Sequence, residues 1–288
     1  MMETALNNFS ETGGNQSQEV VVTPDRDVLS LGLKELWAFR GLVYFLAARD
    51  IKVRYKQTVL GASWAILQPV FTMLVFFVIF SRVAKIPSDN LPYPLFAFCG
   101  LVPWTFFANG LNHASQSLVN ESNLLKKVYF PRLVVPVSAM LVGSADLVLA
   151  FSVLVVMMIW YGAAPSFNAA LIVIPLILAF ATCLGTGLWL SALNVQFRDI
   201  RHVVPFSIQA WMYLTPIAYP ASVVPERFRM IYAINPMTSV VEGFRYALLG
   251  RGTPFGAETV VSAGMAALLL LSGLLYFRKM EKCFADVV

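Results

Sequence analysis

The chain has 288 residues, of which 58% are hydrophobic and only 13% are charged. Soluble domains contain about a quarter charged residues, so this balance excludes an ordinary soluble domain and indicates an integral membrane protein. The net charge of +5 is spread over single cations and small groups between apolar runs, a pattern that argues against binding of nucleic acid. The three cysteines show no metal-ligand or redox spacing.

The chain is predicted to have three parts. Residues 1–32 are polar and are predicted to form a flexible cytoplasmic segment. They lack the apolar core and the cleavage site of a signal peptide. Residues 33–280 are predicted to form one all-α membrane domain, and residues 281–288 a cytoplasmic tail.

Residues 36–56 are predicted to form an amphipathic interface helix that precedes the first span. The second half of this segment contains five ionised side chains, namely Arg49, Asp50, Lys52, Arg54 and Lys56. At the helical period its apolar residues form two faces with charged edges, which is typical of a helix between lipid headgroups and protein. Such a helix is either an interfacial anchor or a coupling element.

Six transmembrane helices follow if each span needs about 20 apolar residues. The predicted spans are residues 62–81, 93–112, 133–160, 169–193, 203–219 and 259–277. Asp146 is the only Asp, Glu, Lys or Arg deep in a predicted span. A single buried acid indicates a hydrogen bond to a neighbouring helix more readily than a proton relay.

The connection between the fifth and sixth spans is unusually long. Two half-length apolar stretches flank Asn235 and Pro236. This pattern predicts a re-entrant helix pair over residues 225–250, which is allowed where protein or water covers the backbone. The alternative is an external loop with a surface helix.

The distribution of cations predicts the orientation. With the amino terminus inside, the inner segments contain about 15 Lys and Arg residues and the outer segments about six, a clear positive-inside bias. Both termini are therefore predicted to be cytoplasmic.

The sequence lacks the motifs of a phosphate-binding loop, a zinc hydrolase and a serine hydrolase. It therefore predicts no catalytic residue, no metal site and no cofactor, and an energy source outside the chain. A surface that receives this energy is predicted over residues 116–132. Leucines there, including Leu124 and Leu125, suit a groove, and Glu121, Lys126 and Lys127 suit its rim. The alternative is a solvated loop.

Several short segments together carry a resemblance to a known family. They are residues 49–55 (RDIKVRY), 60–64 (LGASW), 124–132 (LLKKVYFPR), 194–200 (NVQFRDI), 215–220 (TPIAYP), 235–237 (NPM) and 244–245 (FR). The chain resembles the membrane permease of polysaccharide-exporting ABC transporters of the type-2 exporter class. These transporters move O antigen, capsular polysaccharide or teichoic acid. The resemblance covers about residues 33–280.

The resemblance implies a bacterial inner-membrane homodimer with two copies of a separate ATPase subunit, which bind ATP and Mg²⁺. The implied substrate is a lipid-linked glycan that passes through a channel at the dimer interface. Residues 116–132 would be the coupling segment, with Glu121, Leu124, Leu125, Lys126 and Lys127 at its contacts. Residues 225–250 would be the outer gate, with Tyr219, Asn235, Pro236 and Arg245.

The substrate entrance is predicted near the start of the first span. Tyr55 and Trp64 would stack on sugar rings, and Arg54 and Lys56 would attract a pyrophosphate headgroup. Topology signalling alone would also explain the two cations. Functional alternatives are an ABC exporter of a smaller substrate (a lipooligosaccharide or a drug), an ATP-independent secondary carrier, and a membrane scaffold that does not transport.

Overall fold

The computed structural model describes residues 33–56, 63–197, 199–253 and 255–281. The predicted polar amino terminus and residues 282–288 of the predicted tail lie outside these ranges, as does Arg198. Regular structure within the described ranges is helical throughout.

Eleven α-helices occur in the described ranges. They are α1 (Leu33–Ala38), α2 (Arg40–Lys56), α3 (Ser63–Phe76), α4 (Tyr93–Asn120), α5 (Ser122–Lys127), α6 (Val134–Trp160), α7 (Val173–Gln196), α8 (Ile200–Tyr213), α9 (Glu226–Tyr232), α10 (Pro236–Leu249) and α11 (Ala257–Glu281). A π-helix extends α3 to Val83, and a 3₁₀ helix beginning at Phe167 leads into α7.

Helix α4 forms the centre of the bundle. It packs against α3, α6, α7, α8 and α10, and its aromatic residues Phe96, Phe98, Phe106 and Phe107 are fully buried. The other long helices expose much of their apolar surface, for example Phe71 of α3 and Val148 of α6. Exposed apolar surface on long helices is expected of segments that contact lipid.

Glycines bring α7 and α11 into close contact. A Cβ atom built on Gly273 would lie 2.4 Å from the carbonyl oxygen of Gly185, and one on Gly185 would lie 2.6 Å from the backbone of Leu269. Small residues allow membrane helices to approach this closely.

Five helical segments are long and apolar enough to cross a membrane: Ser63–Val83, Tyr93–Asn120, Val134–Trp160, Phe167–Gln196 and Ala257–Glu281. They match the first, second, third, fourth and sixth predicted spans. The second extends to Asn120 and therefore includes the first five residues of the predicted coupling segment.

The predicted fifth span differs from the others. Helix α8 has 14 residues and ends at Tyr213, and turns occupy the residues from Leu214 to Tyr219. At 1.5 Å per residue, a helix of this length covers about 21 Å of the roughly 30 Å hydrocarbon core. The six-span topology therefore stays a prediction.

Two short helices, α9 and α10, flank Asn235 and Pro236, where the re-entrant pair was predicted. The Asn235 side chain caps α10 by accepting a hydrogen bond from the backbone N–H of Met237 at 3.1 Å. Helix α10 is buried along nearly its whole length, whereas α9 exposes Phe228 and Ile231. A helix–turn–helix is present, and its insertion in a membrane stays a prediction.

Helix α2 lies against α6 through one apolar face. Val43, Leu46 and Ala47 are buried, whereas Tyr44 and Phe45 are exposed. One of its apolar surfaces therefore packs on protein and another remains uncovered, which is the division expected of a helix at a membrane interface.

Candidate functional site

A cluster of charged and polar groups joins the carboxyl end of α2 to the inside of the bundle. Asp146 of α6 is fully buried. Its carboxylate lies 2.9 Å from Nη1 of Arg54, accepts a hydrogen bond from Tyr55 Oη at 2.5 Å and accepts another from Asn109 Nδ2 at 2.7 Å. Asp146 therefore bonds to neighbouring helices, as predicted, and its charge is compensated inside the bundle.

This arrangement changes the interpretation of two predicted entrance residues. The Arg54 guanidinium is paired with Asp146 and lies 3.1 Å from Nε2 of His113, so it is not a free cation. Burial raises the pKa of Tyr55, and its hydrogen bond to Asp146 raises it further. The phenol thus remains a neutral donor.

The other two predicted entrance residues lie on either side of residues 57–62, which are outside the described ranges. Lys56 is exposed at the end of α2, and Trp64 is 55% exposed at the start of α3. The structure therefore leaves Lys56 and Trp64 accessible to a ligand, while Arg54 and Tyr55 are engaged by Asp146.

A second ion pair joins α2 to the junction of α4 and α5. Arg49 contacts both carboxylate oxygens of Glu121, with Nη1 lying 3.5 Å from Oε2. It also donates from Nε to Asp50 at 2.8 Å. Burial lowers the pKa of Arg49, but the hydrogen bonds to Asp50 and Glu121 more than offset this effect and raise the pKa overall.

A polar cavity of about 500 Å³ lies between α2, α4 and α6. Five polar residues of α4 line it at helical spacing: Asn109, Asn112, His113, Ser117 and Asn120. The ion pairs of Arg49 and Arg54 lie at the same cavity. The carboxyl end of α2 is thus held over a hydrophilic space.

The predicted coupling segment contains the short helix α5. Leu124 and Leu125 are partly buried and pack on the cluster that includes Val43 and Leu46 of α2, so they hold α5 in place. Lys126 and Lys127 are exposed on α5. Of the predicted contacts, the two lysines are therefore available to a partner, whereas Glu121 is engaged by Arg49.

Two apolar residues that follow α5 extend its exposed surface. Val128 is 53% exposed and Tyr129 is 65% exposed, whereas Phe130 is buried. We call residues 126–129 the docking surface. Neighbouring exposed apolar side chains mark a site of contact with another protein or with lipid.

The amino terminus of α6 and the ends of α1 and α11 meet beside this surface. Arg278 pairs with Glu35 of α1 at 3.3 Å and with Glu281 at 2.7 Å. The Glu281 carbonyl oxygen in turn accepts a hydrogen bond from the guanidinium of Arg132. These contacts tie the ends of three helices together.

The four predicted gate residues lie in one neighbourhood around the turn that follows α8. Asn235 Oδ1 accepts from Trp211 Nε1 at 2.8 Å, and its amide donates to Thr215 Oγ1 at 3.0 Å. Tyr219 Oη lies 2.5 Å from Tyr232 Oη. Pro236 is the buried first residue of α10.

Arg245 has a different environment from an exposed gate cation. It is 1% exposed, donates to the carbonyl oxygens of Pro216 at 2.6 Å and Ile217 at 2.8 Å, and pairs with Glu242 at 2.9 Å. The guanidinium also lies 3.6 Å from the centroid of the Phe96 ring. Arg245 thus holds the 214–219 turn against α4 and α10.

Sequence reasoning missed the roles of Asn109, His113 and Glu242. Their only signal is that polar residues recur inside apolar segments, where each buried polar group requires a partner. Within the described ranges, no three His, Cys, Asp or Glu side chains are placed to hold a metal ion.

Comparisons with known proteins agree with this architecture. Residues 41–249 match the family model of the ABC-2 type transporter. The chain is 29% identical over 259 residues to the O-antigen export system permease protein RfbA of Myxococcus xanthus, covering 89% of this chain and 98% of that protein.

Further relatives come from two other bacteria. RfbA of Klebsiella pneumoniae, also named an O-antigen export system permease protein, is 30% identical over 86% of this chain and 95% of its own length. The polysialic acid transport protein KpsM of Escherichia coli is 24% identical over 82% of this chain. The family model and the RfbA match each cover most of the sequence, and the chain therefore belongs to the ABC-2 type transporter membrane family.

Proposed function

We propose that the chain is the membrane permease subunit of an ATP-driven exporter of polysaccharide, with a lipid-linked O-antigen or capsule-like glycan as substrate. The observation that carries the proposal is the similarity to O-antigen export permeases over nearly their entire length. The sequence contains no phosphate-binding loop, so ATP and Mg²⁺ would bind to a separate subunit. The chain itself would not be an enzyme.

The proposed assembly is a homodimer in the bacterial inner membrane with both termini in the cytoplasm. The positive-inside distribution of Lys and Arg supports this orientation. Helix α8 and the turn that follows it would complete a sixth crossing. The apolar exposure of α8, including Phe206 at 73%, supports its burial by lipid or by a second copy.

The docking surface, residues 126–129, would contact the ATPase subunit, and each of the two permease copies would bind one ATPase. A small helix that presents two lysines and is followed by an exposed valine and tyrosine can insert into a groove with acidic rims. The opposite side of α5 packs on the bundle through Leu124 and Leu125. Motion of the ATPase would therefore reach α2 directly.

The glycan lipid would enter near Lys56 and Trp64. A lysine beside the inner leaflet attracts a pyrophosphate group, and an exposed indole ring stacks on sugar rings. At the other end of the bundle, Tyr219, Asn235, Pro236 and Arg245 would support the outer gate. The dense hydrogen bonding at Asn235 and Arg245 supports a role in holding the gate helices, with Tyr219 closest to a passing glycan.

The docking surface offers the sharpest test of this function. The variant Lys126→Glu/Lys127→Glu should reduce co-purification of the ATPase subunit and abolish surface glycan in a complemented deletion strain. The matched control is Lys279→Glu, because Lys279 is an exposed lysine at the end of α11 on the same proposed side. Surface glycan that persists when the gene is deleted would refute the proposed function.

A further inference from the structure

A polar pocket of about 380 Å³ lies at the end of the bundle opposite α2 and α5. Its wall is formed by residues 89–90 in the turn between α3 and α4, by Ser222 and Arg229, and by residues 250–253 beyond α10, with Glu242 behind them. Under the proposed orientation this pocket faces the outside of the cell.

Two turns of the pocket wall contain residues with left-handed backbone. Asp89 and Asn90 have φ values of 50° and 62°, and Gly250 and Gly252 have φ values of 65° and 104°. Left-handed conformations are costly for residues other than glycine, and such conformations cluster at functional sites. The pocket wall is therefore built from two tight turns, one at residues 89–90 and one at residues 250–252.

A buried carboxylate holds one side of the pocket in place. Glu242 is 2% exposed, and its Oε2 accepts a hydrogen bond from the backbone N–H of Thr253 at 3.2 Å. A Cβ atom at Gly252 would lie 2.9 Å from the same oxygen. The 250–253 turn is therefore fitted closely onto Glu242.

In the described part of the chain, some charged groups of the pocket have an ion-pair partner and others do not. Glu242 is neutralised by Arg245 at 2.9 Å, and Asp89 accepts a hydrogen bond from Ser222 Oγ at 3.1 Å. Arg229 uses its Nε to bond the carbonyl oxygen of Val224. Among the residues that the structure describes, neither Arg229 nor Arg251 has an ion-pair partner. Within the described ranges, the two guanidinium groups and the Asp89 carboxylate therefore line the pocket without an ion-pair partner, and the cations outnumber the anion.

We propose that this pocket binds an anionic sugar unit, bearing a carboxylate or a phosphate, of the glycan that leaves the channel. The guanidinium groups of Arg229 and Arg251 match a carboxylate or phosphate, which they can bind through paired N–H donors. Asp89, Asn90 and Ser222 offer acceptors and donors for the sugar hydroxyls. The inference rests on the proposed function, because it requires a glycan on the outer side.

The test uses the full complex of permease and ATPase in nanodiscs of phosphatidylcholine, a zwitterionic lipid. The probe is a tetrasaccharide of alternating glucuronic acid and N-acetylglucosamine, and chitotetraose is the neutral comparison. Calorimetry should show binding of the acidic probe that the variant Arg229→Gln/Arg251→Gln weakens by about tenfold, since it loses charge-assisted hydrogen bonds.

Arg227→Gln is the matched control. Arg227 lies on the same helix as Arg229, but it stacks on Phe228 at 4.7 Å and does not line the pocket. The complex with Arg227→Gln should bind the acidic probe with the same affinity as the unaltered complex. Arg251→Gln alone, at an exposed position, provides the same comparison if the double variant does not fold.

Two results would overturn the proposal. One is equal affinity for the acidic probe in the double variant and in the control. The other is seen in nanodiscs that contain both phosphatidylcholine and phosphatidylglycerol: phosphatidylglycerol is enriched around the protein only when both arginines are present, and the tetrasaccharide does not bind. That result would assign the pocket to lipid headgroups. Co-purification of the ATPase subunit is measured in parallel, so a failure of the proposed function is seen independently of Arg229 and Arg251.

Discussion

Arg49 and Glu121 lie 72 positions apart in the sequence and form a forked ion pair between α2 and the start of α5. The backbone carbonyl oxygen of Glu121 also accepts hydrogen bonds from the N–H groups of Leu124 and Leu125, at 2.9 and 3.0 Å. Glu121 therefore holds the first turn of α5 through its backbone and holds α2 through its side chain. A displacement of α5 would therefore act on α2 through this ion pair.

Reversal of one charge in this pair should uncouple the ATPase from transport. In reconstituted complexes, Arg49→Glu and Glu121→Arg should each reduce glycan-stimulated ATP hydrolysis, because like charges then face each other. The double exchange should recover part of the loss, with a coupling energy of about 1 kcal/mol, or about fivefold in rate, for a partly exposed pair.

Lys52→Glu is the control for this cycle, because Lys52 is an exposed cation of the same helix. It should leave the stimulation close to that of the unaltered protein. A double exchange that is as defective as the two single changes combined would contradict a direct role of the pair.

Loss of the Asp146 carboxylate should destabilise the bundle. Asp146→Asn leaves Arg54 without its anion, which should lower the free energy of unfolding by about 2 kcal/mol. This is less than the ~3–5 kcal/mol typical of a fully buried pair, because the Arg54 side chain is 29% exposed. Thermal unfolding in detergent measures the change.

The double variant Arg54→Met/Asp146→Leu tests the cause, since an apolar pair removes both charges together. It should be more stable than Asp146→Asn. Ser152→Ala, at an exposed position of the same helix, should change little. A double variant less stable than Asp146→Asn would show that the hydrogen bonds from Tyr55 and Asn109 outweigh the ion pair.

Replacement of Arg245 by lysine should destabilise the protein. The guanidinium reaches Pro216, Ile217 and Glu242 at the same time, and an ammonium group cannot reproduce this planar set of donors. Arg245→Lys should lower the free energy of unfolding by about 2 kcal/mol through unpaired buried carbonyl groups.

Limited proteolysis within residues 214–224 measures the loosening of the turn in Arg245→Lys. Arg227→Lys, on exposed α9, should be cleaved like the unaltered protein. Equal cleavage of the two variants would mean that packing of α10, and not the Arg245 hydrogen bonds, holds the turn.

The contact between α7 and α11 should tolerate no side chain at Gly185. A methyl group there meets the backbone of Leu269 and Leu270 at 2.6 Å, and backbone cannot move aside without separating the helices. Gly185→Ala should lower the free energy of unfolding by about 1–3 kcal/mol, as overpacking does. Thermal unfolding in detergent checks this value.

Gly264→Ala is a control on α11 itself, because a Cβ atom at Gly264 has nothing within 4 Å. It should be neutral or slightly stabilising, since alanine favours helix. Equal destabilisation by both changes would contradict a specific role of the close contact between α7 and α11.

The sequence alone predicted much of the architecture. The apolar runs located five of the six predicted spans, because a segment that crosses lipid must be apolar along its whole length. The Asn235–Pro236 pair located the break between α9 and α10, because proline begins a helix readily and asparagine caps it. The short motifs indicated the family that the comparisons confirmed.

The fifth span and the roles of single charges were harder to predict. Hydropathy over residues 203–219 does not reveal that α8 ends at Tyr213, where the carbonyl groups of Pro216 and Ile217 turn towards Arg245. Arg54 and Glu121 were predicted to face substrate and ATPase, and the sequence did not indicate that each also pairs within the chain.

The sequence by itself determined that this is a helical membrane protein of a transporter family, and where five candidate spans lie, because hydrophobicity and local motifs are properties of consecutive residues. Only the tertiary structure decided which charges remain available, among them Lys56, Lys126, Lys127, Arg229 and Arg251. The pairing of Arg49 and Arg54 depends on how far each helix is rotated and tilted against its neighbours, and packing between distant segments sets those angles.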